Sequence, residues 1–219
     1  ILFLLAAASP AAAYYGYSKK AATELTLYGG GYFGGDIYTG SYSGLSRSVS
    51  VDDDWSYGGR LGYVFNGTVG LEFGYGHSDA GMTLGAGAGQ LPTQLGQLTE
   101  NRYELNLNLY TNPGPVRGYF TLGGGATDFS ATFNGNLPVT GEAKASDTRF
   151  TSNIGLGIMF SKNEHVALRI DGRWRYTDTN VGGSSYYCDF YGFCYTYDNS
   201  YYGSGEVTGG LTFTLGKGD

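Results

Sequence analysis

Residues with catalytic or metal-binding potential are few and scattered in this sequence. The chain has two histidines and two cysteines, and one close grouping of a base, a hydroxyl and an acid, His77-Ser78-Asp79. Adjacent residues of a strand point to opposite faces, so His77 and Ser78 would not meet as base and nucleophile. The histidines and cysteines are also too few and too scattered for a metal site. We therefore expect no enzyme activity, no catalytic or metal site and no cofactor.

The segment 186–197 is the most distinctive in the chain because tyrosine and glycine dominate it. Cys188 and Cys194 are six positions apart, a spacing compatible with a disulfide that closes a small loop in an exported protein. Tyrosine also dominates antibody binding loops, where it supplies contact area at low entropic cost. Two interpretations stay open: a partner-binding surface, or a rigid aromatic cap. The candidate binding residues are Tyr186, Tyr187, Phe190, Tyr191, Phe193, Tyr195 and Tyr197.

Charged residues stand singly at alternate positions among glycines and threonines elsewhere in the chain. Arginines and carboxylates on one buried face of a sheet would have to pair, because an unpaired buried charge is costly. Six arginines and five acids share this pattern, and we expect them to form an interior charge network. They are Glu24, Arg60, Glu72, Arg102, Glu104, Arg149, Arg169, Asp171, Arg173, Arg175 and Glu206. A second acidic group, Asp52–Asp54, could hold a divalent cation, although a solvated charged loop is the simpler interpretation.

The elements that must position these residues are strands, because apolar and polar residues alternate with a period of two. Eight segments show the pattern: 23–35, 55–65, 69–79, 99–111, 116–129, 148–160, 166–178 and 201–215. Short turns alternate with connections of about twenty residues, well above ordinary loop lengths. The apolar residues stay on one side of the sheet if Phe65 pairs with Val69, position 111 with 116, and position 160 with 166.

Composition excludes several other classes of protein. The 219 residues include 39 glycines and 21 tyrosines but five prolines, which excludes collagen, and the 16% aromatic content is too high for simple disorder. The net charge of −6 argues against a nucleic-acid-binding protein, and most of the acidity falls on the long connections. Residues 1–13 read as the apolar core and cleavage site of a secretory signal peptide, which indicates export.

The period of two alone does not say which face of the strands meets lipid. Long connections at one end, and aromatic residues at both ends of the apolar face, are typical of a bacterial outer-membrane barrel and unexplained in a soluble one. An even number of strands also closes the sheet, so that every backbone polar group is paired within the membrane.

In this architecture the chain resembles the small eight-stranded outer-membrane barrels of Gram-negative bacteria, which include the OmpA transmembrane domain, OmpX, Ail and the opacity proteins. Glycine-aromatic strands such as 28–33 (YGGGYF) and 70–76 (GLEFGYG) share their style, and 209–215 resembles their closing assembly-signal strand. The resemblance implies an all-β, eight-stranded antiparallel up-and-down transmembrane β-barrel with long extracellular loops and short periplasmic turns. It would occupy 23–219, after a signal peptide at 1–13 and a periplasmic segment at 14–22.

The expected function follows from the diameter and the loops. An eight-stranded barrel is just wide enough to be filled by side chains, which disfavours a general porin. We expect a non-enzymatic outer-membrane surface protein with a closed, charge-filled interior, which serves envelope integrity and adhesion or partner binding. A narrow ion or small-solute channel is the alternative, and a lipid A-modifying enzyme is a weaker one. The expected partners are outer-membrane lipids, lipopolysaccharide and an extracellular protein or host surface, with the chain a monomer.

Overall fold

The computed structural model describes residues 21–42, 45–85, 92–111, 114–133, 144–161, 163, 165–178, 186–188, 194–196 and 201–217. The regular elements in these ranges are all strands. Within the same ranges, no helix is long and apolar enough to cross a membrane. The strands are β1 (Ala22–Phe33), β2 (Asp36–Tyr42), β3 (Leu45–Val51), β4 (Asp54–Val64), β5 (Val69–Leu84), β6 (Thr93–Tyr110), β7 (Val116–Phe133), β8 (Lys144–Ser161), β9 (Val166–Asp178), β10 (Tyr186–Cys188), β11 (Cys194–Thr196) and β12 (Tyr201–Lys217).

Eight of these strands close into an antiparallel barrel in the order β1-β4-β5-β6-β7-β8-β9-β12, and β12 pairs back with β1. Closure lets the backbone groups of each barrel strand pair on both sides, which a strand in lipid requires. The predicted fold class is confirmed. The predicted signal peptide at 1–13 lies outside the described residues.

Four barrel strands extend further toward the long connections than predicted. β5 continues to Leu84, β6 begins at Thr93, β7 continues to Phe133 and β8 begins at Lys144. Part of two predicted long connections is therefore strand, 80–84 with 93–98 and 130–133 with 144–147, because paired β-structure continues past the apolar belt. The first long connection also contains strands: β2 pairs with β3, and β3 pairs with the outer end of β5.

The registers at the short turns agree with the predicted faces but not always with the predicted partners. The Phe65 amide donates to the Val69 carbonyl at 2.9 Å, as predicted. Thr111, however, lies opposite Gly118, where its amide donates to the carbonyl at 2.8 Å. Phe160 lies opposite Leu168. Both predictions were wrong by two residues, which leaves every side chain on the predicted face because the strand period is two.

The outer surface of the barrel is a belt of exposed apolar side chains. Aliphatic residues such as Leu105 and Leu156, which are 54% and 67% exposed, occupy its middle. Aromatic residues lie at both ends: Trp55, Tyr57 and Trp174 toward the long connections, and Phe65 toward the short turns. A continuous apolar surface of this kind, with aromatic bands at its two edges, is the lipid-facing surface of a membrane barrel.

The barrel interior is apolar at its two ends. The loop-end cluster, next to the long connections, is formed by Tyr32, Val51, Ala80, Met82, Leu98, Ala131 and Tyr202. The turn-end cluster, next to the short turns, is formed by Val64, Tyr110, Tyr119, Met159 and Ala167. Each member is at most 9% exposed, so both ends of the interior are packed with side chains.

Candidate functional site in the barrel interior

Charged side chains fill the interior between the two apolar clusters. Among the described residues, six arginines and six acids are buried, each at most 6% exposed. They are Glu24, Arg60, Glu72, Glu100, Arg102, Glu104, Arg117, Arg169, Asp171, Arg173, Arg175 and Glu206. Their formal charges cancel, which is the condition under which so many ionised groups can remain inside a membrane barrel.

Ion pairs join ten of these residues into one network. At the loop end Glu100 pairs with Arg102 at 3.1 Å, and Arg102 pairs with Glu206 at 3.2 Å. Arg175 then bridges two acids, with Nη2 2.8 Å from Glu206 and Nε 2.6 Å from Glu104. The alternation of arginine and carboxylate continues through the interior, so that each acid accepts from at least one guanidinium.

Arg173 is the centre of the second half of this network. Its guanidinium contacts Glu72 at 2.8 Å, Asp171 at 3.0 Å and Glu104 at 3.3 Å. Arg169 pairs with Glu72 at 2.5 Å, and Arg60 pairs with Asp171 at 2.7 Å. Guanidinium groups suit this arrangement because their planar fork of donors can serve several carboxylates at once.

Buried tyrosines stack on four of the arginines. The guanidinium of Arg60 lies 3.9 Å from the centre of the Tyr28 ring, and that of Arg169 lies 4.5 Å from the Tyr119 ring. Arg102 and Arg117 lie over other interior tyrosine rings at 5.3 and 4.3 Å. A period of two does not reveal such contacts, in which a tyrosine ring and a guanidinium from different strands meet as a cation–π pair.

Inward-facing glycines make room for the long interior side chains. A Cβ at Gly157 would lie 2.2 Å from the Tyr119 ring, whose hydroxyl accepts a hydrogen bond from Arg169 Nε at 2.6 Å. A Cβ at Gly155 would lie 2.9 Å from Arg173 Cγ. Part of the glycine excess is therefore the space that the arginines and tyrosines occupy.

The structure places ten of the eleven predicted network residues inside the barrel, and Arg149 is the exception. Its side chain is 26% exposed and pairs with Asp147, which is 57% exposed. Arg149 shares the inward parity of its strand, but it lies two residues beyond the buried Thr151, at the loop-end margin of the barrel. The prediction for Arg149 is therefore wrong, and the reason is its height along the strand.

Sequence reasoning missed two buried charges, Arg117 and Glu100. Arg117 lies at the turn end, 4.0 Å from Glu24, and donates to the Gly67 carbonyl at 3.1 Å. Glu100 accepts from the Tyr32 hydroxyl at 2.7 Å as well as from Arg102. Both residues fit the alternation of their strands, so their parity was the available signal. They lie near the ends of the predicted segments 99–111 and 116–129, and for that reason neither was included in the predicted network.

The grouping His77-Ser78-Asp79 is divided between the two faces of β5. Ser78 is buried inside the barrel and accepts from Arg102 Nη1 at 2.8 Å. His77 points outward, with Nδ1 2.9 Å from Asn101 Oδ1 and Nε2 3.2 Å from Asp79 Oδ2. The serine hydroxyl therefore has no basic partner in His77, and the three side chains do not form a catalytic triad.

The other candidate positions lie in or next to the long connections. Both carboxylate oxygens of Asp52 accept from Thr83 Oγ1 at 3.0 Å, and no three potential ligand side chains in the described ranges converge on a metal position. The backbone of β10 pairs with that of β11 and sets Cys188 opposite Cys194. The predicted binding residues Phe190, Tyr191, Phe193 and Tyr197 lie outside the described residues.

A closed eight-stranded barrel with an apolar aromatic-banded exterior and a charged interior is a transmembrane β-barrel of the bacterial outer-membrane class. Residues 1–211 match the family described as outer membrane protein beta-barrel domain, and the chain belongs to this family. Membership implies the outer membrane of Gram-negative bacteria as its location.

Solved structures support the same fold. Neisserial surface protein A is 14% identical, with a TM-score of 0.53, and the match covers 89% of this chain and 99% of that protein. The outer membrane protein OprG from Pseudomonas aeruginosa is 16% identical, with a TM-score of 0.54, and the match covers 90% and 98%. No curated protein sequence matches the chain.

Proposed function

We propose that the protein is a non-enzymatic outer-membrane barrel whose closed interior carries no solute and whose function resides in its extracellular connections. The ion-pair network between the loop-end and turn-end clusters is the observation that carries this proposal. An ion that entered would have to displace buried paired charges, and removing the partner of one such charge costs about 3–5 kcal/mol. The two apolar clusters add a second barrier at each end.

The extracellular connections are the parts available for recognition. In the tyrosine-rich segment 186–197 the backbones of β10 and β11 pair, and the aromatic composition of the segment suits a protein partner or a host surface. The acidic residues of the long connections add a negative outer surface. We propose that this surface supports envelope integrity and adhesion, and that the chain works as a monomer.

Lipopolysaccharide is the lipid partner that the outward face of the barrel suits. Beside the aromatic band, Tyr75 Oη donates to Asn101 Oδ1 at 2.9 Å, and Thr99 Oγ1 donates to Asp79 Oδ1 at 2.6 Å. These side chains and His77 continue the lipid-facing surface of β5 and β6 outward into the headgroup layer. Hydroxyl, amide and carboxylate groups there can bind the sugar hydroxyls of a saccharolipid.

The closed interior is tested by conductance in planar bilayers. Neither the purified barrel nor an Arg149→Ala variant, which lacks one charge at the loop end, is expected to give discrete channels. Discrete wild-type conductance that changes with Arg173→Ala would overturn the closed interior, because Arg173 lies at the centre of the network.

The surface role is tested by cell binding. A strain whose barrel lacks 186–197 is expected to lose attachment to host cells or matrix proteins while it keeps wild-type amounts of folded barrel. Replacing the aromatic residues of this segment by serine, with the cysteines retained, is the matched control for loop length. Unchanged attachment in both variants would contradict a binding role for the segment.

A narrow ion or small-solute channel is the second candidate. The observation that favours it is the near continuity of polar groups through the interior, from Glu100 near the loop end to Arg117 and Glu24 at the turn end. Rotation of one arginine between neighbouring carboxylates would be the elementary opening step. The same bilayer experiment separates this candidate from the closed barrel.

A further inference from the structure

His77 and Asp79 bring two potential metal ligands together on the outward face of β5. The two residues are two positions apart in the strand, so both side chains leave it on the same side. His77 Nε2 lies 3.2 Å from Asp79 Oδ2. Two ligand atoms of a tetrahedral zinc ion, each about 2.1 Å from the metal, lie about 3.4 Å apart. The ring nitrogen and the carboxylate oxygen therefore have the spacing of two ligands of one metal ion.

The neighbouring strand β6 orients both side chains through their other polar atoms. Asn101 lies opposite His77 in the β5–β6 register, and its Oδ1 is 2.9 Å from His77 Nδ1. Thr99 lies opposite Asp79, and its hydroxyl donates to Asp79 Oδ1 at 2.6 Å. Histidine ligands usually donate their second ring N–H in this way, and ligating carboxylates are usually hydrogen-bonded as well. The pair therefore has the outer partners that are typical of a metal site.

The contact between His77 and Asp79 requires a positive charge. Asn101 Oδ1 accepts from the Tyr75 hydroxyl at 2.9 Å, so its neighbour His77 Nδ1 is also a donor to it. In a neutral imidazole, Nε2 then carries a lone pair and points it at the Asp79 carboxylate. Two acceptors at this distance repel each other unless a second ring proton or a metal ion joins them.

The surroundings of the pair favour a metal ion. The Asp79 side chain is 59% exposed and that of His77 is 17% exposed, so water or anionic oxygen atoms can approach from outside and complete a coordination shell. The Tyr57 ring packs against the imidazole with 5.1 Å between ring centres, which restricts rotation of the histidine. Imidazole nitrogen suits zinc, copper and nickel, whereas calcium and magnesium prefer oxygen ligands.

We propose that His77 and Asp79 form a surface site for a divalent transition-metal ion such as Zn²⁺, completed by oxygen ligands from outside the barrel. The expectation of no metal site rested on the scatter of the histidines and cysteines along the chain, whereas this site needs one histidine and one carboxylate of the same strand. It requires neither a conducting interior nor bound lipopolysaccharide, so its test is independent of the proposed function.

Titration of the folded barrel with Zn²⁺ tests the site, in detergent without lipopolysaccharide and at constant pH. Long-range ¹H–¹⁵N nuclear magnetic resonance spectra are expected to show a shift of His77 Nε2 that is complete at one equivalent of bound metal. The other histidine, His165, is exposed at the opposite end of the barrel and should keep its signals unchanged. A His77 ring that stays unshifted at millimolar Zn²⁺ would overturn the proposal and leave an ordinary ion pair with Asp79.

Variants of the ligands and of their outer partners give the second test. His77→Gln and Asp79→Asn are expected to weaken Zn²⁺ binding by at least about tenfold, since removal of an outer partner alone typically costs 10–100-fold. Thr99→Val removes such a partner and is expected to weaken binding by about tenfold. His165→Gln should leave the affinity unchanged. Binding that persists at wild-type affinity in His77→Gln would contradict the site.

Asp128→Asn is the matched control for surface charge. Asp128 is exposed on the outward face and accepts from Thr148 at 2.9 Å, as Asp79 accepts from Thr99, but its strand β7 contains no histidine. This variant should bind Zn²⁺ as the wild type does. Equal losses in Asp79→Asn and Asp128→Asn would overturn the proposal, because Zn²⁺ would then follow the negative charge of the surface. Should a variant not fold, the wild-type histidine signals alone decide.

Discussion

Glu206 is the acid whose neutralisation is expected to damage the interior most. Its carboxylate lies 2.8 Å from Arg175, 3.2 Å from Arg102 and 4.0 Å from Arg60, and it accepts from the Ser56 hydroxyl. Glu206→Gln keeps the shape but removes the charge and turns an amide group toward an arginine. The three guanidinium groups then share one acceptor fewer, and the interior has an excess positive charge.

The expected loss is about 3–5 kcal/mol in the free energy of unfolding, the usual result of removing one partner of a buried ion pair. Urea-induced unfolding from lipid vesicles measures it. The two tryptophans of the chain, Trp55 and Trp174, are 74% and 48% exposed on the outer face. Their fluorescence therefore reports when the barrel leaves the lipid.

Two further variants make the experiment decisive. Asp79→Asn is the matched control, because that side chain is 59% exposed and its neutralisation is expected to change stability by about 0.5 kcal/mol or less. In Glu206→Gln/Arg175→Gln the charge balance is restored while Glu104 keeps Arg173 at 3.3 Å, so part of the loss should be recovered. If Glu206→Gln proved as stable as Asp79→Asn, the reasoning that paired charge supports the interior would be refuted.

Three other outcomes are expected. Gly157→Ala should destabilise the barrel by about 1–3 kcal/mol, because the new methyl group overlaps the Tyr119 ring. Gly209→Ala is the control and should change stability little, because the space around Gly209 is open. Equal urea midpoints for the two variants would contradict the role given to Gly157. Cys188 and Cys194 should react with a thiol reagent only after reduction, and labelling of the folded, unreduced protein would exclude the disulfide. The folded barrel should migrate differently on gels before and after boiling, whereas a chain that is not a barrel would show no shift.

Which face each residue takes could be read from the sequence, because strand alternation is a local property. The alternation put Arg60, Glu104 and Asp171 on the polar face, and the structure buries all three. Their height along the barrel could not be read in the same way. Arg149 and Arg117 both have inward parity, yet the first is partly exposed at the loop end and the second is buried at the turn end.

The ends of the strands were the least accurate part of the sequence interpretation. Predicted strands stopped where the apolar pattern stopped, but a strand continues wherever its backbone finds a partner. Residues 80–84 of β5 and 93–98 of β6 pair with each other beyond the apolar belt. Loop-end residues such as Leu98 therefore lie inside the barrel rather than in a loop.

The sequence by itself determined the number of barrel strands, their antiparallel order and the division into lipid-facing and interior residues. Period-two alternation and connection length carry that information within short stretches of chain. Only the tertiary structure decided which charges meet. Arg60 pairs with Asp171, 111 positions away in the chain, because closing and staggering the sheet brings distant strands together across the interior. That pairing depends on the register of all eight strands at once, and no local pattern contains it.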